Sequence, residues 1–198
     1  MRGGDLPLPQ LLELYFAQWD TRHNHDVANV RPRIPTDTYR SRGAEYLTAY
    51  HQRYSHGRFD TIACEYRFSF PLNEKIVIGG IIDRLDQAPN DFMGVTDYKT
   101  GNHAIPENIT CNNQMVLYGM AVHHLFPECK GVLLALHDLP RNRRLLGRCT
   151  PEVMAWVREQ VLDQIAVIET ETEFPGNFNG GCRWCEFSHI CPDIPKQK

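Results

Sequence analysis

From Thr61 the hydrophobic pattern of the chain changes period, and this change constrains the fold more than any other feature. Upstream, residues 9–19 carry Leu11, Leu12, Tyr15, Phe16 and Trp19 at helical spacing, and 37–54 repeats the pattern through Tyr39, Tyr46, Leu47 and Tyr50. Between them, 23–35 holds two prolines and no period, and reads as a loop. Downstream, three short β-prone runs at 62–70, 75–85 and 92–99 are separated by Pro71-Leu72-Asn73 and Ala88-Pro89-Asn90-Asp91, which predicts a meander. A helix over 106–126 follows, with Gln114, Tyr118 and Val122 on one face. The continuous apolar run at 131–139 predicts a strand buried on both sides, with 143–148 as its candidate partner. Thr150 is a natural N-cap before Pro151, opening a helix whose buried stripe is Met154, Val157, Val161, Ile165 and Ile168. The expected architecture is a mixed α/β domain.

The 198 residues fit one domain, read as a helical part (1–60), a sheet carrying the site (61–148), and a helix with a cysteine cluster (149–198). With 42% hydrophobic and 23% charged residues and a net charge of −3, the composition is that of an ordinary globular chain. No apolar run approaches the roughly 20 residues of a membrane helix, and Met1 to Asp5 opens no signal-peptide pattern. Neither a membrane nor a secreted protein is expected. The slightly acidic balance leaves nucleic acid open, because 16 of the 21 basic residues are arginine and what matters is where they cluster. Of seven cysteines, three crowd into Cys182-x2-Cys185-x5-Cys191. That spacing suits metal or iron–sulfur ligation better than disulfides, and cytoplasmic residence is the matching expectation.

The segment from Gly79 to Gly101 carries the chemistry, with Asp83 and Asp97 near the ends of consecutive predicted strands. Residues two apart in a strand share a face, so Asp97 and Lys99 project together while Tyr98 points away. With Asp83 facing the same cleft, two carboxylates and one ammonium converge. A hard cation such as Mg²⁺ uses one or two protein carboxylates and keeps several waters. A lysine beside it can position or deprotonate an attacking water and stabilise charge developing on a phosphate. The plainer reading is a pair of surface salt bridges at strand ends.

Asp83, Asp97-x-Lys99, Gln114-x3-Tyr118 and Cys182-x2-Cys185-x5-Cys191-Pro192, in this order, resemble the motifs of the PD-(D/E)xK nuclease superfamily in its RecB-like/Cas4-like exonuclease branch. The resemblance covers roughly 61–192. It implies a restriction-endonuclease-like core, a mixed central β-sheet flanked by helices, with a C-terminal Cys-rich segment. It implies a Mg²⁺- or Mn²⁺-dependent deoxyribonuclease, an exonuclease on single-stranded ends. The setting would be DNA repair, recombination or phage and CRISPR-type defence, beside a helicase or another repair or defence protein. On the family pattern Asp83 and Asp97 ligate the metal, the Tyr98 carbonyl adds a ligand and Lys99 is catalytic. Gln114 and Tyr118 orient the site or contact DNA, Glu65 supports it, and Cys182, Cys185 and Cys191 hold a [4Fe–4S] cluster.

Two departures stand beside this resemblance. The family's upstream metal-binding histidine has no clear counterpart, since His23 and His25 lie in a predicted loop and His51 and His56 near the end of the second helix. No cysteine precedes Cys64, so the first cluster ligand is missing. The expectation is an N-terminally shortened member or the C-terminal part of a larger protein; the alternative is a protein that functions without those ligands. For the cysteine triplet, a zinc site completed by His189 and free thiols stay open, and a fourth thiolate would come from Cys64, Cys111 or elsewhere.

Two arginine groups could follow a phosphate backbone: Arg141, Arg143 and Arg144 with Arg148 on a predicted turn, and Arg31, Arg33, Arg40, Arg42, Arg53 and Arg58 among tyrosines. Arginines interleaved with aromatics suit single-stranded DNA, although a solvated helix face and hairpin tip carry the same residues. Trp184 reads as packing for the tail. The rival functions are a catalytically silent DNA-binding or scaffold module and a zinc-stabilised interaction domain.

Overall fold

In the computed structural model, residues 6–22, 34–54, 60–101, 106–173 and 175–192 are described. Two helices come first, α1 (Leu8–Arg22) and α2 (Thr36–Tyr54), then strands β1 (Asp60–Pro71), β2 (Val77–Gln87) and β3 (Phe92–Lys99). Helix α3 (Asn113–Leu125), strands β4 (Gly131–Asp138) and β5 (Arg143–Cys149) and helix α4 (Pro151–Thr170) follow. The strands form one mixed sheet in the order β1-β2-β3-β4-β5, and β3–β4 is the parallel pair. A parallel neighbour needs a crossover, and the stretch containing α3 supplies it. Among the described residues no helix is long and apolar enough to cross a membrane.

One face of the sheet is covered by α3 and α4. Val95, Val132, Leu134 and Leu136 point to it and are sealed beneath Met115, Val116 and Val122 of α3 and Val157 of α4. Helix α3 is buried around most of its circumference, as a helix lodged between a sheet and a second helix must be. Gly119 permits the close approach, since a Cβ there would fall 2.5 Å from Cys149 Sγ on β5. The opposite face is covered at one end by α2, where Tyr50 and Tyr54 pack on His137.

Three expectations are corrected. Helix α3 begins at Asn113, not near residue 106, because Asn108 first caps a 3-10 turn over Ile109–Cys111 and Asn112 then accepts a hydrogen bond from the Met115 amide at 3.2 Å. Strand β4 is not sealed on both sides along its length: Val132, Leu134 and Leu136 are buried, but Leu133 and Ala135, on the face that α2 covers only at one end, are half-buried. In α4, capped by Thr150 as expected, Val157 and Val161 are buried with Met154 and Ile165 packed beside them, yet Ile168 is 65% exposed. A 20-residue helix is about 30 Å long and outruns the core beneath it.

Candidate active site

The β2–β3 ladder runs from Gln87 opposite Met93 to Arg84 opposite Thr96, so the next step places Asp83 level with Asp97. There the Tyr98 amide donates to Asp83 Oδ2 at 2.8 Å, and a side chain takes the place of a ladder carbonyl. Alternation along β3 sends Asp97 and Lys99 to the α3 side and Tyr98 to the other. Lys99 Nζ lies 2.8 Å from Asp97 Oδ2 and donates to Gln114 Oε1 at 2.9 Å. The Gln114 amide nitrogen donates in turn to the Tyr118 hydroxyl at 2.8 Å, across one turn of α3. The motif residues of two strands and one helix thus form a continuous polar chain.

Asp97 is 2% exposed, and burial pushes its carboxyl above the usual range, opposed by Lys99 and reinforced by Asp83. Lys99 Nζ stands at ion-pair distance from the buried Asp97 Oδ2 and offsets part of that cost. Burial likewise raises the Tyr118 hydroxyl, lowered by the Gln114 hydrogen bond and raised again by Asp97, Asp83 and Glu65. Since this hydroxyl accepts from Gln114, its own proton is free for another acceptor.

The donor set fits a divalent cation. No group of three or more His, Cys, Asp and Glu is gathered among the described residues, so the protein would offer the Asp83 and Asp97 carboxylates, a backbone carbonyl such as that of Tyr98, and room for water or phosphate oxygens. Asp97, buried and with its charge disfavoured by burial, is the carboxylate such a cation would stabilise most. Glu65 lies on β1 level with Asp83, between the Cys64–Arg84 and Tyr66–Ile82 pairs, with a positive φ of 53°. It is exposed, and its charge adds to the raising of the Tyr118 hydroxyl.

Behind the site, residues that sequence reasoning did not single out brace it. Arg84 Nη1 donates to the hydroxyls of Tyr98 (2.7 Å) and Tyr50 (3.0 Å), and its Nε donates to Asp86 Oδ2 at 2.9 Å. Asp86 also accepts from Thr61 Oγ1. Arg84 follows Asp83 and Tyr98 lies between Asp97 and Lys99, so the brace ties β2 to β3 from the far face at the level of the carboxylates. The one available signal was alternation, which already put Tyr98 on that face.

The remaining candidates divide. Asp138 lies opposite both Lys99 and Arg143, so the β4–β5 turn stands at the same end of the sheet as the site. Arg141 pairs with the buried Asp138 at 3.0 Å, Arg144 lies 5.0 Å over the Tyr54 ring, and Arg143 projects outward. In the N-terminal group, Arg40 pairs with Asp20 and lies over Phe16, and Arg53 donates to the Asn142 carbonyl. Arg31, Arg33 and Arg58, His23, His25 and His56, and the Trp184 side chain lie outside the described residues. His51 contacts the Leu6 carbonyl, away from the carboxylates. Cys182, Cys185 and Cys191 are free thiols in a run of turns, and among the described residues they are not gathered into a group of three or more metal-ligating side chains. Cys64 and Cys111 are exposed.

Among solved structures, the chain is similar to the protein SSO0001, with 18% identity, a TM-score of 0.42, and coverage of 93% of this chain and 95% of that one. It is also similar to a candidate exonuclease from Eubacterium rectale, with 12% identity, a TM-score of 0.47, and coverage of 100% and 77%. No curated protein matches it. The family model of the PD-(D/E)XK nuclease superfamily matches residues 3–192, nearly the whole chain and every member of the polar chain from Asp83 to Tyr118, and the protein belongs to that superfamily.

Proposed function

We propose that the protein is a metal-dependent deoxyribonuclease of the RecB-like/Cas4-like exonuclease branch, acting on single-stranded ends in DNA repair, recombination or defence. The observation that carries this reading is the buried Asp97 carboxylate paired with Lys99, which Gln114 and Tyr118 hold in place. Asp83 and Asp97, with the Tyr98 carbonyl, would hold Mg²⁺ or Mn²⁺, which supplies charge stabilisation at the phosphate and a more acidic water. One Lys99 N–H goes to Gln114 and another faces Asp97, leaving the third for a phosphate oxygen or the attacking water. In hydrolysis the water oxygen bonds to phosphorus as the bond to the departing sugar oxygen breaks. The ammonium sits where the phosphate's negative charge develops. The Tyr118 hydroxyl can donate to a strand or a bound water, and Arg143 stands at the site's end of the sheet for the backbone.

The test is degradation of a fluorescent single-stranded oligonucleotide with Mn²⁺, wild type beside Asp97→Ala. Cleavage by the wild type alone supports the nuclease; equal cleavage by both removes the assignment of Asp97. Metal-independent binding without cutting by either would make the chain a silent DNA-binding module.

A further inference from the structure

The backbone pairing of the sheet stops one step short of the carboxylates. Strand β2 pairs with β3 from Gln87–Met93 only as far as Arg84–Thr96. Past that point β2 stays with β1 down to Val77–Pro71, and β3 stays with β4 to Lys99–Asp138. The sheet therefore forks at the site, with Asp83 on one prong and Asp97 and Lys99 on the other. No ladder bond sets the distance between the two carboxylates, and the charge of Asp83 acts on Asp97 across the fork. Like charges at this range push the prongs apart until a cation lies between them.

Side chains close the fork instead. Asp83 Oδ2 accepts from the Tyr98 amide at 2.8 Å, and Arg84, the next residue of β2, donates from the far face to the Tyr98 hydroxyl at 2.7 Å. Arg84 is itself fixed. Its Nε donates to Asp86, whose side chain is 3% exposed and also accepts from Thr61 of β1. Its Nη1 donates to Tyr50 of α2 at 3.0 Å as well, and the two tyrosine hydroxyls lie 3.1 Å apart. One planar guanidinium thus ties β2 to β3 and α2 while Asp86 anchors it to β1. A lysine there would keep the charge but lose the fork's second donor nitrogen.

We propose that Arg84 is a positioning residue of the active site: by clamping Tyr98 across the fork it sets the distance between Asp83 and Asp97, and Tyr50 makes that setting depend on the docking of α2. Arg84 acts through Tyr98 alone, whose peptide joins Asp97 and whose amide holds Asp83. The inference rests on the nuclease activity proposed for these carboxylates.

The test pairs a metal-free measurement with kinetics. Deuterium exchange of the amide at position 98, followed by NMR without metal, reports its bond to Asp83. Mn²⁺-dependent cleavage of a fluorescent single-stranded oligonucleotide reports the site. Tyr98→Phe removes the clamped hydroxyl and keeps the ring, the amide and the Arg84–Asp86 pair; Arg84→Lys keeps the charge. Both should speed exchange about tenfold and lower kcat about ten- to a hundredfold with KM for the oligonucleotide unchanged, and Tyr50→Phe should do the same more weakly. Val161→Ala, a core truncation in α4, controls for lost stability. Unchanged exchange in Tyr98→Phe and Arg84→Lys, or losses as large in Val161→Ala, would overturn the clamp. Faster exchange with wild-type kcat would overturn the positioning role. Faster exchange in the variants of a wild type that does not cleave supports the clamp and removes the nuclease reading instead.

Discussion

Lys99 Nζ, at the end of β3, donates to Gln114 Oε1 in the first turn of α3 at 2.9 Å, a bond between two elements joined only through the crossover. Because Gln114 also donates to Tyr118, its amide cannot rotate without losing both partners. A hydrogen bond to a charged group contributes about 1.5–3 kcal/mol. Gln114→Ala should therefore lower kcat roughly ten- to a hundredfold by that energy, with little change in KM. Lys99→Ala should abolish cleavage with folding largely intact. Single-turnover rates and circular dichroism on both variants check this, and wild-type rates for Lys99→Ala would remove the catalytic role.

Asp97 is where function and stability oppose one another. Burial is the largest influence on its carboxyl and disfavours the charge. Asp97→Asn should raise the Tm of the metal-free protein by about 2–4 °C, equivalent to about 1 kcal/mol. The stabilisation that Mn²⁺ gives the wild type should vanish in the same variant. Thermal melts with and without Mn²⁺ decide it; an equal metal-induced rise in both proteins would mean the cation binds elsewhere.

His137 should make the fold acid-sensitive. Its folded-state pKa of about 4 lies below the ordinary 6.5, so between those values the unfolded chain binds more protons than the native one. The stability from the neutral ring is complete above about pH 6.5, falls as pH drops towards 4, and falls no further from this group below that. Arg84, Arg144, Tyr50, Tyr54 and Tyr98 surround it, and its loss should be on the order of 2 kcal/mol because the Arg144 guanidinium that opposes its protonation is exposed and screened by solvent. Urea melts of wild type and His137→Phe at pH 7 and 4.5 should show a smaller acid loss in the variant.

Gly119 and Gly180 should answer alanine differently. A Cβ at Gly119 would meet Cys149 Sγ and Cβ at 2.5 and 2.7 Å, whereas one at Gly180 meets nothing within 4 Å. Alanine gains up to about 1 kcal/mol in helix propensity, but overpacking costs about 1–3 kcal/mol, so Gly119→Ala should destabilise. Gly180→Ala should stay within about 0.5 kcal/mol of wild type. Denaturant midpoints measure both, and a stabilised Gly119→Ala would show that α3 can lift from β5 at little cost.

Much of this architecture is legible before any coordinates. The change of period at Thr61 places β1 to β3, the Thr150–Pro151 pair opens α4, and alternation in 92–99 sets Asp97 and Lys99 against Tyr98. Each rests on backbone geometry that acts over a few residues. Hydrophobic period extends α3 back to 106 because it carries no record of a cap, whereas Asn108 and Asn112 cap successive turns. Ile168 continues the stripe yet is exposed, because periodicity tells which way a helix faces, not how far its partner extends.

The sequence by itself determined the order of elements and the motif residues, because strand and helix periods and side-chain chemistry are local properties. Tertiary structure alone decided that Gln114 reaches Lys99, that Tyr50 and Arg84 brace Tyr98 from behind, and that Arg141 serves Asp138. It also decided that His137 packs beneath Tyr50 and Tyr54 of α2. Such pairings join segments tens of residues apart, and only sheet register and the helix layers packed on each face bring them within bonding distance.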